Sequence, residues 1–201
     1  MGIKDRIGQW LKGQSAADSA ALFFGSLPTV ETGRLILRKA RTGDAEDIFA
    51  YSKDPEVARH VLWSAHRSLG DSRAYIRYLH SQYREGQPGS YVIVRKPEGR
   101  VIGTAGWMEF NPDHRWAEVG YSLARDCWNQ GYMTEALQEL LRLSFTELEL
   151  NRVIGRYELD NPASRRVMEK SGMAPLDKTE EIAYRGRTHR CRYCERKNLK
   201  K

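Results

Sequence analysis

At Gly131 the spacing of apolar residues changes from about two to about 3.6, and this change limits the possible folds more than any other feature of the chain. Upstream, the runs at 91–94, 101–107 and 117–123 are separated by turn signals at Pro97-Glu98-Gly99 and Asn111-Pro112-Asp113, which reads as an antiparallel meander. From Gly131 to about residue 148, Leu137, Leu140, Leu141, Ser144, Phe145 and Leu148 fall on one stripe of a helix. A sheet followed at once by a one-sided helix has to cover that sheet with the helix, which places the chain in the α/β class.

The other elements follow the same logic. A strand at 34–38 leads through Thr42-Gly43-Asp44 into a helix carrying Ile48, Phe49 and Tyr51, and Asp54-Pro55 opens a short helix. A third helix over 71–83 sets Tyr75, Ile76 and Leu79 on one face, with Gly86 beyond its end. After the long helix come a strand at 153–158, a helix at 162–170 closed by Gly172, and a strand pair ending near Cys194. With 201 residues, 40% hydrophobic and 29% charged, the chain suits one domain at 30–196, preceded by an extension at 1–29 and followed by a basic tail at 197–201. In the extension, Ile3, Ile7, Trp10 and Leu11 recur at helical spacing before Leu22-Phe23-Phe24-Gly25. This amphipathic arm suits packing on its own domain or on a second subunit better than contact with a membrane.

No run approaches the roughly 18 apolar residues that cross a bilayer, and the start lacks a signal-peptide pattern, so a cytoplasmic protein without membrane contact is expected. Arg6 stands where a myristoylation signal wants a hydroxyl. Three cysteines do not make a disulfide framework. Cys191-Arg192-Tyr193-Cys194 has knuckle spacing, with His189 upstream but no second pair, so it reads as two strand cysteines and no metal is expected. Residues 184–201 carry eight basic groups against Glu195, while the remainder balances to zero. Such an end suits docking on RNA, acidic protein or a phosphorylated ligand, or simply forms a solvated strand and tail.

Two strand-to-helix junctions carry the chemistry. In Trp128-Asn129-Gln130-Gly131-Tyr132-Met133-Thr134-Glu135-Ala136 a loop enters the long helix, whose first N–H groups and dipole favour a phosphate. About 30 residues later, Asn161-Pro162-Ala163-Ser164 repeats the arrangement, with a capping asparagine and a proline at the first helical position.

Together with Glu118-Val119-Gly120-Tyr121 and Glu169-Lys170-Ser171-Gly172, these segments resemble the GNAT acyltransferase superfamily, in particular its RimJ/RimL branch of ribosomal-protein N-terminal acetyltransferases. The likeness covers about 34–173. It implies a mixed, mostly antiparallel sheet of about seven strands with flanking helices, whose fourth and fifth strands splay to admit acetyl-CoA. It places the pyrophosphate on the backbone of Gln130, Gly131, Tyr132, Met133 and Thr134, and the pantetheine arm on Leu123. Asn161 would orient CoA, and Ser164 would protonate the leaving thiolate. The tyrosine that many GNAT enzymes carry seven residues after the asparagine is Met168 here, which leaves Ser164 or water as the acid.

Glu118 is the candidate base, with Glu109 as runner-up. A carboxylate base suits an α-amine of pKa about 7.7–8.0 better than a lysine at about 10.4. The implied reaction is direct acetyl transfer from acetyl-CoA to a primary amine, a protein N-terminus first and a small amine such as an antibiotic, polyamine or amino acid second, by a monomer or homodimer. A ribosomal substrate would give the basic end an rRNA contact. A non-catalytic acyl-CoA-binding regulator and a plain RNA-binding protein are the readings from other classes.

Overall fold

The computed structural model describes residues 15–184 and 186–199. The apolar positions Ile3, Ile7, Trp10 and Leu11 and the basic residues Arg185, Lys200 and Lys201 lie outside them. Eight strands form one open sheet: β1 (Val30–Glu31), β2 (Leu35–Arg38), β3 (Ser90–Arg95), β4 (Arg100–Asn111), β5 (Trp116–Leu123), β6 (Arg152–Glu158), β7 (Ala174–Tyr184) and β8 (Arg187–Lys197). Their order is β1-β2-β3-β4-β5-β6-β8-β7. β5 and β6 are parallel, and the other described pairings are antiparallel. The sheet therefore has one more strand than the expected seven, because Val30–Glu31 pairs with β2 ahead of the first expected strand.

Among the described residues five helices flank the sheet: α1 (Ala16–Ser26), α2 (Ala45–Ser52), α3 (Leu69–Glu85), α4 (Tyr132–Thr146) and α5 (Pro162–Lys170). α4 starts on Gly131, at φ 80, and buries Leu137, Leu140, Leu141 and Ser144 against the sheet. Buried Trp107 of β4 donates its indole N–H to Ser144 Oγ at 2.9 Å, which fixes the helix against the strand. α1 opens with a capping box at Ser15 and Asp18 and puts Ala20 and Phe24 in the core. Phe24 meets Trp107 and Phe110 edge-on, so residues 16–26 share the domain's core.

The sequence departs from its expected reading after Asp54. Residues 55–60 form turns rather than a helix, and the segment runs irregularly to Ser68, where α3 begins. Pro55 can start a helix, but Asp54 caps only a brief turn through Val57 and Ala58 N–H groups, and the turn is not continued. α2 is held to β2 by a buried bidentate pair between Arg38 and Asp44, at 2.7 and 2.8 Å.

Candidate active site

The parallel pairing of β5 with β6 runs from Trp116↔Arg152 to Val119↔Gly155 and then stops. Beyond it the strands part, leaving residues 120–123 of β5 with a partner only in β4. These are the fourth and fifth strands of the expected arrangement, counted before β1 is added. Ala124 N–H bonds to Ile102 of β4, so alternation turns the N–H groups of Tyr121 and Leu123 toward the gap. The Leu123 carbonyl is taken by the Trp128 indole N–H at 2.8 Å. Leu123 can therefore offer an extended ligand arm its N–H alone, which restricts the strand-like bonding expected of it.

At the end of the gap, α4 presents its first N–H groups, and Gly131 has no side chain to cap them. Arg34 braces this loop. Its Nη1 donates to the Gln130 carbonyl at 2.9 Å, its Nε to Glu135 Oε2 at 2.7 Å, and its guanidinium lies 4.5 Å from the centre of the Tyr132 ring. Glu135 Oε1 also accepts from Thr32 Oγ1 at 2.6 Å and the Arg34 N–H at 2.8 Å, and these donors hold its carboxyl below its ordinary value despite the opposing effect of burial. The acidic residue in the first turn is thus neutralised by its neighbours. Met133 is buried as an anchor, and the Gln130 side chain donates back to the Asp126 carbonyl. An uncapped helix start beside a parted strand pair, with Arg34 alongside, fits a diphosphate continued by an extended arm.

A cavity of about 1560 Å³ includes the gap and extends past it. Glu118 and Ser164 both line it. Thr104 and Ser122 share the face of Tyr51, and Glu118 falls on that face by alternation along β5. Tyr121 falls on the other, where its hydroxyl lies 2.9 Å from Ser164 Oγ and 3.1 Å from the Ser164 carbonyl. Asn161 caps α5 by accepting from the Ser164 N–H at 3.1 Å, which leaves its amide N–H2 for a ligand. Met168 is buried under Gly155, where a Cβ would sit 2.8 Å from its Cε, so packing occupies the position at which many GNAT enzymes carry a tyrosine.

Burial raises the Glu118 carboxyl above its ordinary value, Glu109 and Glu180 add to the effect, and Arg156 opposes it. Arg156 Nη2 lies 3.3 Å from Glu118 Oε1. Tyr121 and Arg156 are the site residues that sequence reasoning missed. Tyr121 stood in a quoted motif without a role, and no local pattern ties Arg156 to Glu118.

Cys191 and Cys194 are buried and three positions apart on one strand, which turns their thiols to opposite faces. Of the basic end, Arg190 pairs with Glu181, Arg196 donates to the Ser171 carbonyl, and Lys197 pairs with Glu195. Among the described residues no helix is long and apolar enough to cross a membrane.

A sheet with one parted parallel pair, a helix N-terminus at the gap and a carboxylate within the same cavity suit a diphosphate-bearing acyl donor, and the family match makes the class an acetyl-CoA-dependent acetyltransferase. Residues 34–174 match the family model for the acetyltransferase (GNAT) domain, and the chain belongs to that family. It is 33% identical over 142 residues to "Uncharacterized N-acetyltransferase p20" of Bacillus licheniformis, covering 71% of this chain and 80% of the relative. The ribosomal-protein-serine acetyltransferase of Escherichia coli is 28% identical over 106 residues, 53% of this chain and 58% of that protein. RimL, a ribosomal L7/L12 alpha-N-protein acetyltransferase solved with coenzyme A, superimposes with a TM-score of 0.75 at 19% identity, covering 85% of this chain and 98% of its own.

Proposed function

We propose that the protein acetylates the α-amino group of a peptide or protein N-terminus, with Glu118 as base and Ser164 as acid. The observation that carries this reading is their placement on the two faces of β5, with the gap between them. The amine nitrogen attacks the thioester carbonyl carbon as its proton passes to Glu118, directly or through one water. Charge on the carbonyl oxygen is met by the gap-facing N–H groups of Tyr121 or Leu123. The carbon–sulfur bond breaks, and the Ser164 hydroxyl protonates the thiolate. Glu118 then returns its proton to solvent, and Ser164 recovers one from it. The Gln130–Thr134 backbone, braced by Arg34, holds the diphosphate, and the Asn161 amide orients the arm.

A carboxylate raised by burial and by Glu109 and Glu180, with Arg156 working against the rise, is a modest base. It suits an amine that is already substantially neutral near pH 8, which favours an α-amine over lysine. The ribosomal-protein acetyltransferases among the relatives support a protein acceptor. The test is acetyl-CoA turnover, followed by thiol release, on peptides with a free or a blocked N-terminus, beside a panel of small amines. Turnover confined to free N-termini is expected. Activity only on small amines would move the enzyme to small-molecule acetylation, and CoA binding without turnover of any amine would revive the regulator.

A further inference from the structure

Leu62, Tyr78 and Met108 are 59%, 55% and 49% exposed, come from three separate segments, and all line the cavity that holds Glu118. Single exposed apolar side chains need no explanation, but three gathered on one cavity do. Behind Tyr78 a row of rings continues inward. Tyr78 stacks on Tyr75 at 6.4 Å between centroids, Tyr75 lies 6.3 Å from His66, and His66 lies 5.5 Å from Trp63. All four rings line the same cavity.

The row is held firmly. His66 Nδ1 is 2.8 Å from Ser72 Oγ, and its backbone N–H donates to the Ser52 carbonyl at 3.0 Å. Burial lowers the His66 imidazole below its ordinary value, which keeps that ring neutral at physiological pH. On the same cavity Met108 covers Gly120 so closely that a Cβ there would sit 2.7 Å from its Cγ. Gly120 is two residues from Glu118 on the same face of β5.

We propose that Leu62, Tyr78 and Met108, backed by the ring row, form a subsite for a large apolar or aromatic group attached to the carbon that bears the reacting amine. The proposal rests on the α-amine reading and deepens it. The acceptor is a primary amine with a leucine-like or phenylalanine-like side chain. An acidic side chain is disfavoured, since an apolar subsite strips its charge of water without offering a partner.

The test compares the amides of phenylalanine, leucine, serine and aspartate, which present the same α-amine on different side chains. Turnover with acetyl-CoA and equilibrium binding to the enzyme–CoA complex are both measured. The phenylalanine and leucine amides are expected to exceed the serine amide by roughly tenfold to a hundredfold in kcat/KM and in affinity, with aspartate amide lowest. Tyr78→Ser and Leu62→Ser are each expected to shrink the phenylalanine-to-serine ratio to a few-fold, whereas Tyr78→Phe retains it. Equal binding of the serine and phenylalanine amides, or a ratio unmoved by both serine variants, overturns the subsite. An apolar preference in binding with no turnover of any amide keeps the subsite and counts against the α-amine reading.

Discussion

Arg34→Ala isolates the brace beneath the candidate diphosphate site. The substitution removes the 2.7 Å pair with Glu135, the 2.9 Å bond to the Gln130 carbonyl and the cover over Tyr132, while the backbone N–H of residue 34 still reaches Glu135. The Arg34 side chain is 47% exposed, so the ion pair is worth at most about 1 kcal/mol and the bond to the Gln130 carbonyl a similar amount. A loss of about 1.5–2 kcal/mol corresponds to roughly 3–8 °C in Tm for a domain of this size. Binding changes for a second reason, because Glu135 is left with its charge beside a site for a doubly charged group. Repulsion between that carboxylate and the diphosphate costs about 1 kcal/mol of binding, and with a loosened loop the affinity for acetyl-CoA falls about tenfold. The fall is expected to narrow as salt rises, because repulsion is screened. Arg34→Ala combined with Glu135→Gln removes the stranded charge, so it should recover most of the affinity while remaining as heat-labile as the single variant. Calorimetric titration of CoA against thermal melts separates the two effects. Unchanged CoA affinity in Arg34→Ala, or equal affinity in the single and double variants, would refute the placement of the diphosphate on this helix.

Three further outcomes follow from the site and its scaffold. Glu118→Gln is expected to lower kcat about 10²-fold or more with little change in the KM for acetyl-CoA. Since burial raises the Glu118 carboxyl and the base must be ionised, wild-type kcat climbs as pH rises through that raised value, and a pH profile of the variant should lack this limb. Tyr121→Phe removes a hydroxyl that reaches both the carbonyl and Oγ of Ser164. It is expected to cost about 1 kcal/mol in stability and about fivefold to tenfold in kcat, and if the pair acts as a unit, steady-state kinetics will show Ser164→Ala no slower when Tyr121→Phe is added. Asp44→Asn strands the buried Arg38 guanidinium and should cost about 3–5 kcal/mol in denaturant melts, far more than replacing the pair by methionine and leucine.

What the sequence made legible was local punctuation. Gly131, Asn161 and Pro162 announce the starts of α4 and α5, and the 3.6 spacing after Gly131 finds the buried face of α4. What it hid depends on partners far along the chain. Arg156 reaches Glu118 only because parallel pairing sets Glu118 beside Ile154, and Tyr121 reaches Ser164 across 43 positions. Phe24 reads as part of an arm packing on its own domain or on a second subunit, and nothing local chooses between them, because its partners Trp107 and Phe110 lie more than 80 residues away. Cys191 and Cys194 are legible as strand residues, and on a strand the interval that closes on a metal in a knuckle points the thiols apart.

The location of the site follows from the one parallel pair. Parallel neighbours require a crossover, so β5 has to be followed by a helix before β6 can lie beside it, and α4 is that helix. β6 is followed in turn by α5, so two helices start near the same end of the same two strands, each aiming its N-terminus there. Ligands of parallel sheets collect outside the carboxyl ends of the strands for this reason, where donors and dipoles converge. In this protein the effect is strengthened because the strands themselves part after Gly155, where the absent side chain lets Met168 draw α5 close to the sheet. A ligand in that gap meets backbone donors edge-on and is open to both faces of the sheet. The alternation of β5 then gives the two faces different chemistry, a carboxylate at Glu118 on one and the Tyr121–Ser164 hydroxyl pair on the other. On the proposed roles, proton removal and proton delivery are separated by the thickness of one strand, an arrangement that antiparallel pairing along the whole sheet would have closed.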